Sequence, residues 1–182
     1  ENQVAKNWLR KQGWQEGEPF VCLHVRDNAY LDSDLYFILD KGKWEYHNYR
    51  NSDIATYVEA MEWLADQGIW VFRMGKIMKK PLPSKHERII DYAFNSERSD
   101  FLDMWLFAHC NLCISTGSGP DIVSGIYRRP MLVLNFMPLI SFWSWNNAIY
   151  FPKILVWKEL DKPLTFQEYL HYVYFRDRNY QK

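Results

Sequence analysis

Apolar residues recur along the chain with two periods, one helical and one extended, and the two alternate. Val4, Trp8 and Leu9 fall at helical spacing, so residues 3–12 read as a short helix that Gly13 and Gly17 end. Phe20 to Val25 is a short apolar run after Pro19 and reads as a strand. Residues 27–52 are polar, turn-rich and aromatic, with Tyr30, Tyr36, Trp44, Tyr46 and Tyr49. Loops of this length are mostly functional or mobile. Ser52 or Asp53 then caps a helix whose apolar face is Ile54, Tyr57, Val58, Met61, Leu64 and Ala65, with Gly68 as its stop.

The second half repeats the alternation. Ile69 to Phe72 reads as the second strand and Ile89-Ile90 as a short third. Ser99 or Asp100 caps a helix through Ala108, and Leu112 to Ile114 is the fourth strand. A glycine- and hydroxyl-rich turn, Ser115 to Gly119, leads to Pro120, which opens a helix to about Tyr127. Met131 to Leu134 is the fifth strand, and Phe166, Tyr169, Leu170, Val173 and Tyr174 mark a terminal amphipathic helix. Short apolar strands separated by helices predict an α/β fold, a parallel sheet with helices on both faces. Residues 1–18 are read as an N-terminal helix or linker and 19–182 as the domain itself, with its C-terminal helix.

Length agrees with a single domain, since 182 residues is the size of one. Lys and Arg number 22, as do Asp and Glu, so the formal net charge is zero. A generally basic nucleic-acid binder is thereby disfavoured, because such proteins neutralise phosphates. No segment reaches the roughly 18 apolar residues of a membrane helix, and the chain neither begins with Met nor shows a signal peptide. Residue 1 thus reads as a fragment boundary. Three cysteines, Cys22, Cys110 and Cys113, make no disulfide framework, which sets a reducing, cytoplasmic compartment as the expectation. The unusual figure is an aromatic content of 18%, more than a core of this size readily hides. It predicts a partner domain, a ligand surface or a membrane-facing edge.

In open parallel sheets ligands bind beyond the C-terminal ends of the strands, so those positions carry the candidate chemistry. The first strand ends in His24-Val25-Arg26-Asp27, and alternation puts His24 and Arg26 on one face. A planar, permanently charged Arg suits phosphate. The competing structural reading pairs Arg26 with Asp27 and buries a satisfied His24. The second strand ends in Arg73-Met74-Gly75-Lys76, where Arg73 and Lys76 are ligand candidates and Lys79, Lys80 and Lys85 read as a solvated face. The fourth ends in the Ser115-Thr116-Gly117-Ser118-Gly119 turn, whose glycines permit close approach and whose following helix offers N–H groups to an anion. A plain capped turn without a ligand is the alternative. Asp100 and Asp103 complement a helix dipole, and Asp103 is also placed to reach a ribose or base. A zinc site from Cys22, His24, Cys110 and Cys113 would need one particular strand register, and three inert buried thiols are the simpler reading.

Several motifs in fixed order resemble a group of bacterial glycosyltransferases of surface-polysaccharide loci. They are Phe20–Asp27 (FVCLHVRD), Tyr49–Tyr57 (YRNSDIATY), Arg73–Lys76 (RMGK), Ser99–Asp103 (SDFLD) and Ser115–Asp121 (STGSGPD), and the likeness spans about residues 19 to 155. The His-x-Arg strand end is also similar to the donor half of GT-B fucosyltransferases, and the Ser-Gly-Pro turn to that of heptosyltransferases. The resemblance implies one half of a GT-B fold, a Rossmann-like C-terminal domain that binds a nucleotide-diphosphate sugar without metal or other cofactor. Its implied partners are a glycan acceptor and a missing N-terminal acceptor domain, with no nucleic acid, and a peripheral contact at the inner membrane face as an added option. By it His24, Arg26 and Asp27 form the catalytic set: Arg26 on the β-phosphate, His24 near the nucleoside, and Asp27 as a local alternative to a general base from the missing half. Arg73, Gly75, Lys76, Asp103, Ser115, Thr116, Gly117, Ser118 and Gly119 form the donor-binding set. Gly117 stands where the fucosyltransferase pattern has Ser, so a GDP-fucose donor is not supported. A nucleotide-sugar 2-epimerase and a non-catalytic nucleotide- or phosphosugar-binding module are the other two readings of these residues.

Overall fold

A computed structural model describes residues 1–33, 48–137 and 139–172. Tyr36, Trp44, Tyr46, Val173 and Tyr174, named above, lie outside the described residues.

The sheet is built from β1 (Phe20–His24), β2 (Trp70–Arg73), β3 (Ile89–Ile90), β4 (Leu112–Ser115), β5 (Met131–Phe136) and β6 (Ala148–Pro152). Its order is β3-β2-β1-β4-β5-β6, and every neighbouring pair is parallel. This is the Rossmann order, in which the chain reverses direction across the sheet between β1 and β4. The expected α/β fold is therefore present.

Helices cover both faces. α1 (Asn2–Lys11), α4 (Asp100–His109) and α5 (Ile122–Ile126) lie on one side. Their buried residues Trp8, Leu9, Leu106 and Val123 pack with Phe20, Cys22 and Phe72 of the sheet. α3 (Val58–Asp66) lies on the other, where Met61 and Ala65 meet Leu23, Val71 and Ile89. Central strands covered on both faces read as unbroken apolar runs, and all five residues of β1 are buried. The N-terminal segment belongs to this core: Trp8 packs edge-on to Tyr92 at 5.2 Å and against Phe72 at 5.7 Å. The remaining helices are short, α2 (Ala29–Asp32) after β1 and α6 (Phe166–Tyr172) at the C-terminal end.

The caps form where hydroxyls and carboxylates precede apolar runs. The Ser99 hydroxyl accepts the Leu102 amide at 3.2 Å, and Asp53 accepts the Ala55 amide at 2.9 Å. The helix expected from Asp53 opens as a 3-10 turn, Ile54–Tyr57, and becomes α-helical only at Val58. The Thr56 hydroxyl donates to the Asp53 carbonyl, the local side-chain bond that favours such a turn.

Three features exceed the expectation. β6 is a sixth strand in a stretch that reads as irregular and aromatic. It is a sheet edge with one covered face, so its residues alternate weakly, and Pro152 at its end is tolerated because no strand lies beyond. β5 continues to Phe136 through an irregular step at Asn135, whose φ is +53°. There the Asn135 amide donates to the Tyr57 hydroxyl at 3.0 Å and to the Ser52 hydroxyl at 3.2 Å, tying β5 to the 52–57 turn. A small antiparallel hairpin, β7 (Val156–Trp157) with β8 (Lys162–Pro163), follows. No described helix is long and apolar enough to cross a membrane.

Candidate functional site

A cavity of about 540 Å³ opens at the C-terminal edge of β2, β1 and β4, beside the point where strand order reverses. Its wall includes His24, Arg26 and Asp27 after β1, Met74 to Met78 after β2, Asp103 and Phe107 of α4, and Ser118 to Pro120 after β4. Adjacent parallel strands end at one level, which is how three sequence-distant segments meet. His24 lies beside Ser115 in register, and the Thr116 amide donates to the His24 carbonyl at 3.1 Å.

Arg26 is half-buried, and no carboxylate pairs with it among the described residues. Its backbone amide donates to the Thr116 hydroxyl at 2.9 Å, which fixes where the side chain starts. Burial and the neighbouring Arg50 guanidinium push its pKa down to about 10. Arg50 donates to the Gly117 carbonyl and lines the same cavity. Two guanidinium groups thus line one space, and among the described residues neither is paired with a carboxylate. Like charges brought together in this way are stabilised by a bound anion.

The pairing of Arg26 with Asp27, the competing reading of the sequence, is absent. The Asp27 carboxylate instead accepts the Ala29 amide at 2.9 Å and the Lys79 amide at 3.0 Å. It clips the loop after β2 to the end of β1. His24 is buried edge-on to Phe107 at 5.8 Å, and its Nδ1 has no partner among the described residues. Burial holds the imidazole below the usual histidine range, so the ring is neutral at pH 7. A buried polar atom left unpaired in a cavity wall is a common mark of a ligand or water position. Asp103 is tied to Arg98 and faces the Tyr92 hydroxyl, and burial raises its pKa above the ordinary carboxylate value.

Other members of the sequence set lie elsewhere. Arg73 does not line the cavity: it is 1% exposed, donates to Asp91 at 2.9 Å and stacks over Phe94 at 5.4 Å. Its guanidinium is held in a buried ion pair, where the sequence reading expected a ligand contact. Lys76 does line the cavity, held at the rim by Asp100 at 3.1 Å. Gly75 lines it as well, with φ +156°, where an added Cβ would lie 2.5 Å from the Met78 sulfur.

The Ser115–Gly119 turn divides in two. Ser115 and Thr116 are buried and face inward. The Ser115 hydroxyl donates to Asp121 and accepts the Gly117 amide at 3.0 Å, and Asp121 also accepts the Ser118 amide at 3.0 Å. These hydroxyls help to build the turn, and neither residue lines the cavity, where the sequence reading expected contact with a diphosphate. Gly117, Ser118 and Gly119 reach cavity space. The helix behind them is only Ile122–Ile126 after a 3-10 turn, too short for a strong dipole. Gly117 has φ +75° and lies where a Cβ would meet Phe136 at 3.3 Å, whereas nothing lies within 4 Å of a Cβ at Gly119. Gly117→Ala is expected to cost about 1–2 kcal/mol, and Gly119→Ala to leave stability unchanged. Thermal melts of the two variants check this, and equal melting points would refute the assignment.

Cys22, Cys110 and Cys113 are buried free thiols within the hydrophobic core. Among the described residues no cluster of metal-ligating side chains is found.

Arg50, Met74, Ile77, Met78 and Phe107 were not singled out as site residues from the sequence. Arg50 lies 24 positions beyond Arg26 in an irregular stretch, where no periodicity assigns a direction. The signal available was its place inside the Tyr49–Tyr57 motif.

No family model and no curated protein matches the sequence. Among solved structures, KpsC of Thermosulfurimonas dismutans, described as a beta Kdo 2,4 transferase, aligns over 93% of this chain at 11% identity, with a TM-score of 0.38. The chain spans 60% of the length of that protein.

Proposed function

We propose that this chain is the donor-binding domain of a glycosyltransferase and holds the nucleoside diphosphate of its sugar donor in the larger cavity. One observation carries the reading: Arg26 and Arg50, neither paired with a carboxylate among the described residues, line one cavity at the strand-end edge where parallel sheets bind nucleotides. Both guanidinium groups face the diphosphate, and Lys76 adds charge at the rim. Asp103 takes a ribose hydroxyl, and Met74, Ile77 and Met78 supply the apolar surface for a base. The neutral His24 offers a hydrogen bond near the nucleoside. The ordered motifs of the sequence point to the same class of enzyme.

The chemistry asked of these groups is electrostatic. As the bond from sugar to phosphate breaks, negative charge grows on the departing diphosphate. Cations already fixed in place stabilise that charge without reorganising. Asp27 is a poor general base here, because its carboxylate is occupied by two backbone amides. The base for an inverting transfer would come from an acceptor domain facing this edge. A glycan acceptor, a bacterial surface polysaccharide as product and the absence of any resident metal or cofactor belong to this proposal.

Titration calorimetry of the folded protein against UDP, GDP, CDP and ADP tests it. One nucleotide is expected to bind better than the others, with affinity that falls as salt rises. Failure of all four to bind would refute the reading.

A further inference from the structure

A second cavity of about 210 Å³ lies beside the first. Met131, Val133 and Phe136 of β5 form one wall, and Trp143, Asn146 and Tyr150 form another. Its roof is the 117–119 turn, with Gly117 close against the Phe136 ring. The two cavities share Arg50, Ser118 and Gly119. A ligand anchored by its phosphates at Arg50 therefore has access to both.

We infer that this smaller cavity is the subsite for one neutral pyranose ring, the sugar carried on the distal phosphate of the donor. The inference rests on the nucleotide-sugar reading and adds the substrate class to it. Size separates the two ends of the donor. A nucleoside with its ribose needs the larger cavity, where Asp103 can meet a ribose hydroxyl, and the smaller one has room for a single ring.

The wall chemistry agrees. Phe136, Trp143 and Tyr150 present aromatic surface, which suits the C–H face of a pyranose. Phe136 and Tyr150 are locked edge-on at 4.9 Å, so the surface is preformed. Hydroxyl partners stand beside it: the Asn146 amide donates to the Tyr150 hydroxyl at 3.1 Å, and Ser141 lines the same space. The charged groups are Arg50, already facing the phosphates, and Asp121, already bonded to Ser115 and the Ser118 amide. An acidic sugar would place its carboxylate near Asp121 with no cation of its own. A neutral hexose meets no such conflict.

The test compares each nucleoside diphosphate with its hexose: UDP with UDP-glucose, GDP with GDP-mannose, ADP with ADP-glucose and CDP with CDP-glucose. Trp143 is 38% exposed, so Trp143→Ala is expected to fold. For the nucleotide that binds, Trp143→Ala should leave affinity for the diphosphate unchanged and weaken the hexose derivative about fivefold. Tyr150→Phe keeps the ring and should shift the same ratio in the same direction, by less. An unchanged ratio in Trp143→Ala, or equal loss for both ligands, would overturn the subsite and leave the nucleotide reading intact. If no diphosphate binds the unaltered protein, the nucleotide reading fails and the subsite fails with it.

Discussion

Arg73→Ala should destabilise the fold by about 3–5 kcal/mol, the scale of breaking a buried ion pair from one side. Arg73 is 1% exposed and its partner Asp91 only 20%. Removing the guanidinium strands a carboxylate with little water to solvate it. It also releases the loop after β2. Asp91 accepts the Leu82 amide at 2.7 Å, and Arg73 donates to the Lys80 carbonyl at 3.3 Å. Domains of this size are stable by only about 5–15 kcal/mol, so the variant should be markedly less stable in urea. Arg73→Lys should not rescue it, because an ammonium cannot reproduce the fork that meets Asp91 and the carbonyl together. Urea melts give the measure. A loss below about 1 kcal/mol, together with abolished nucleotide binding, would restore Arg73 as a ligand and overturn its place in the core.

Arg26→Ala should behave in the opposite way. Affinity for a nucleoside diphosphate should fall by about 1.5–3 kcal/mol, the worth of a charged hydrogen bond, or roughly 10- to 150-fold. Stability of the free protein should not fall. Arg26 has no carboxylate partner among the described residues, and it faces a second guanidinium, Arg50. Its loss relieves a repulsion rather than breaking a bond. Weaker salt dependence of binding should accompany the change, since one fewer cation meets the phosphates. Calorimetry at two ionic strengths and a thermal melt separate these effects. A melting point that falls while affinity holds would show Arg26 to be structural.

The contrast between these two arginines marks how far the sequence could be read. Both stand near the ends of apolar strands, beside other candidate residues, and strand alternation treats them alike. The fold distinguishes them by what faces each. Asp91, 18 residues further on, closes over Arg73, whereas nothing acidic reaches Arg26 among the described residues. No local pattern carries that information, because both partners are set by how the loops after β2 and β1 fold back. The same holds for Ser115 and Thr116. Their hydroxyls read as ligand donors in a turn, whereas the Ser115 hydroxyl donates to Asp121 and the Thr116 hydroxyl accepts the Arg26 amide.

The aromatic surplus is also resolved in part. Trp8, Phe20, Trp70, Phe72, Tyr92 and Phe107 are core residues, which accounts for many of the rings. Phe142, Trp143, Trp145 and Phe151 stay exposed near β6, the edge that the pattern did not show as a strand. These rings border the smaller cavity and the free edge of the sheet.

By itself the sequence determined five of the six strands of the main sheet, the helices between them and the parallel arrangement. It could do so because burial on two faces writes continuous apolar runs, and helix starts and stops are written in caps and glycines. Tertiary structure alone decided the sixth strand of that sheet, the place of Arg50 in the cavity wall and the burial of Arg73 against Asp91. Those depend on contacts between segments far apart in the chain, and such contacts leave no period in the sequence.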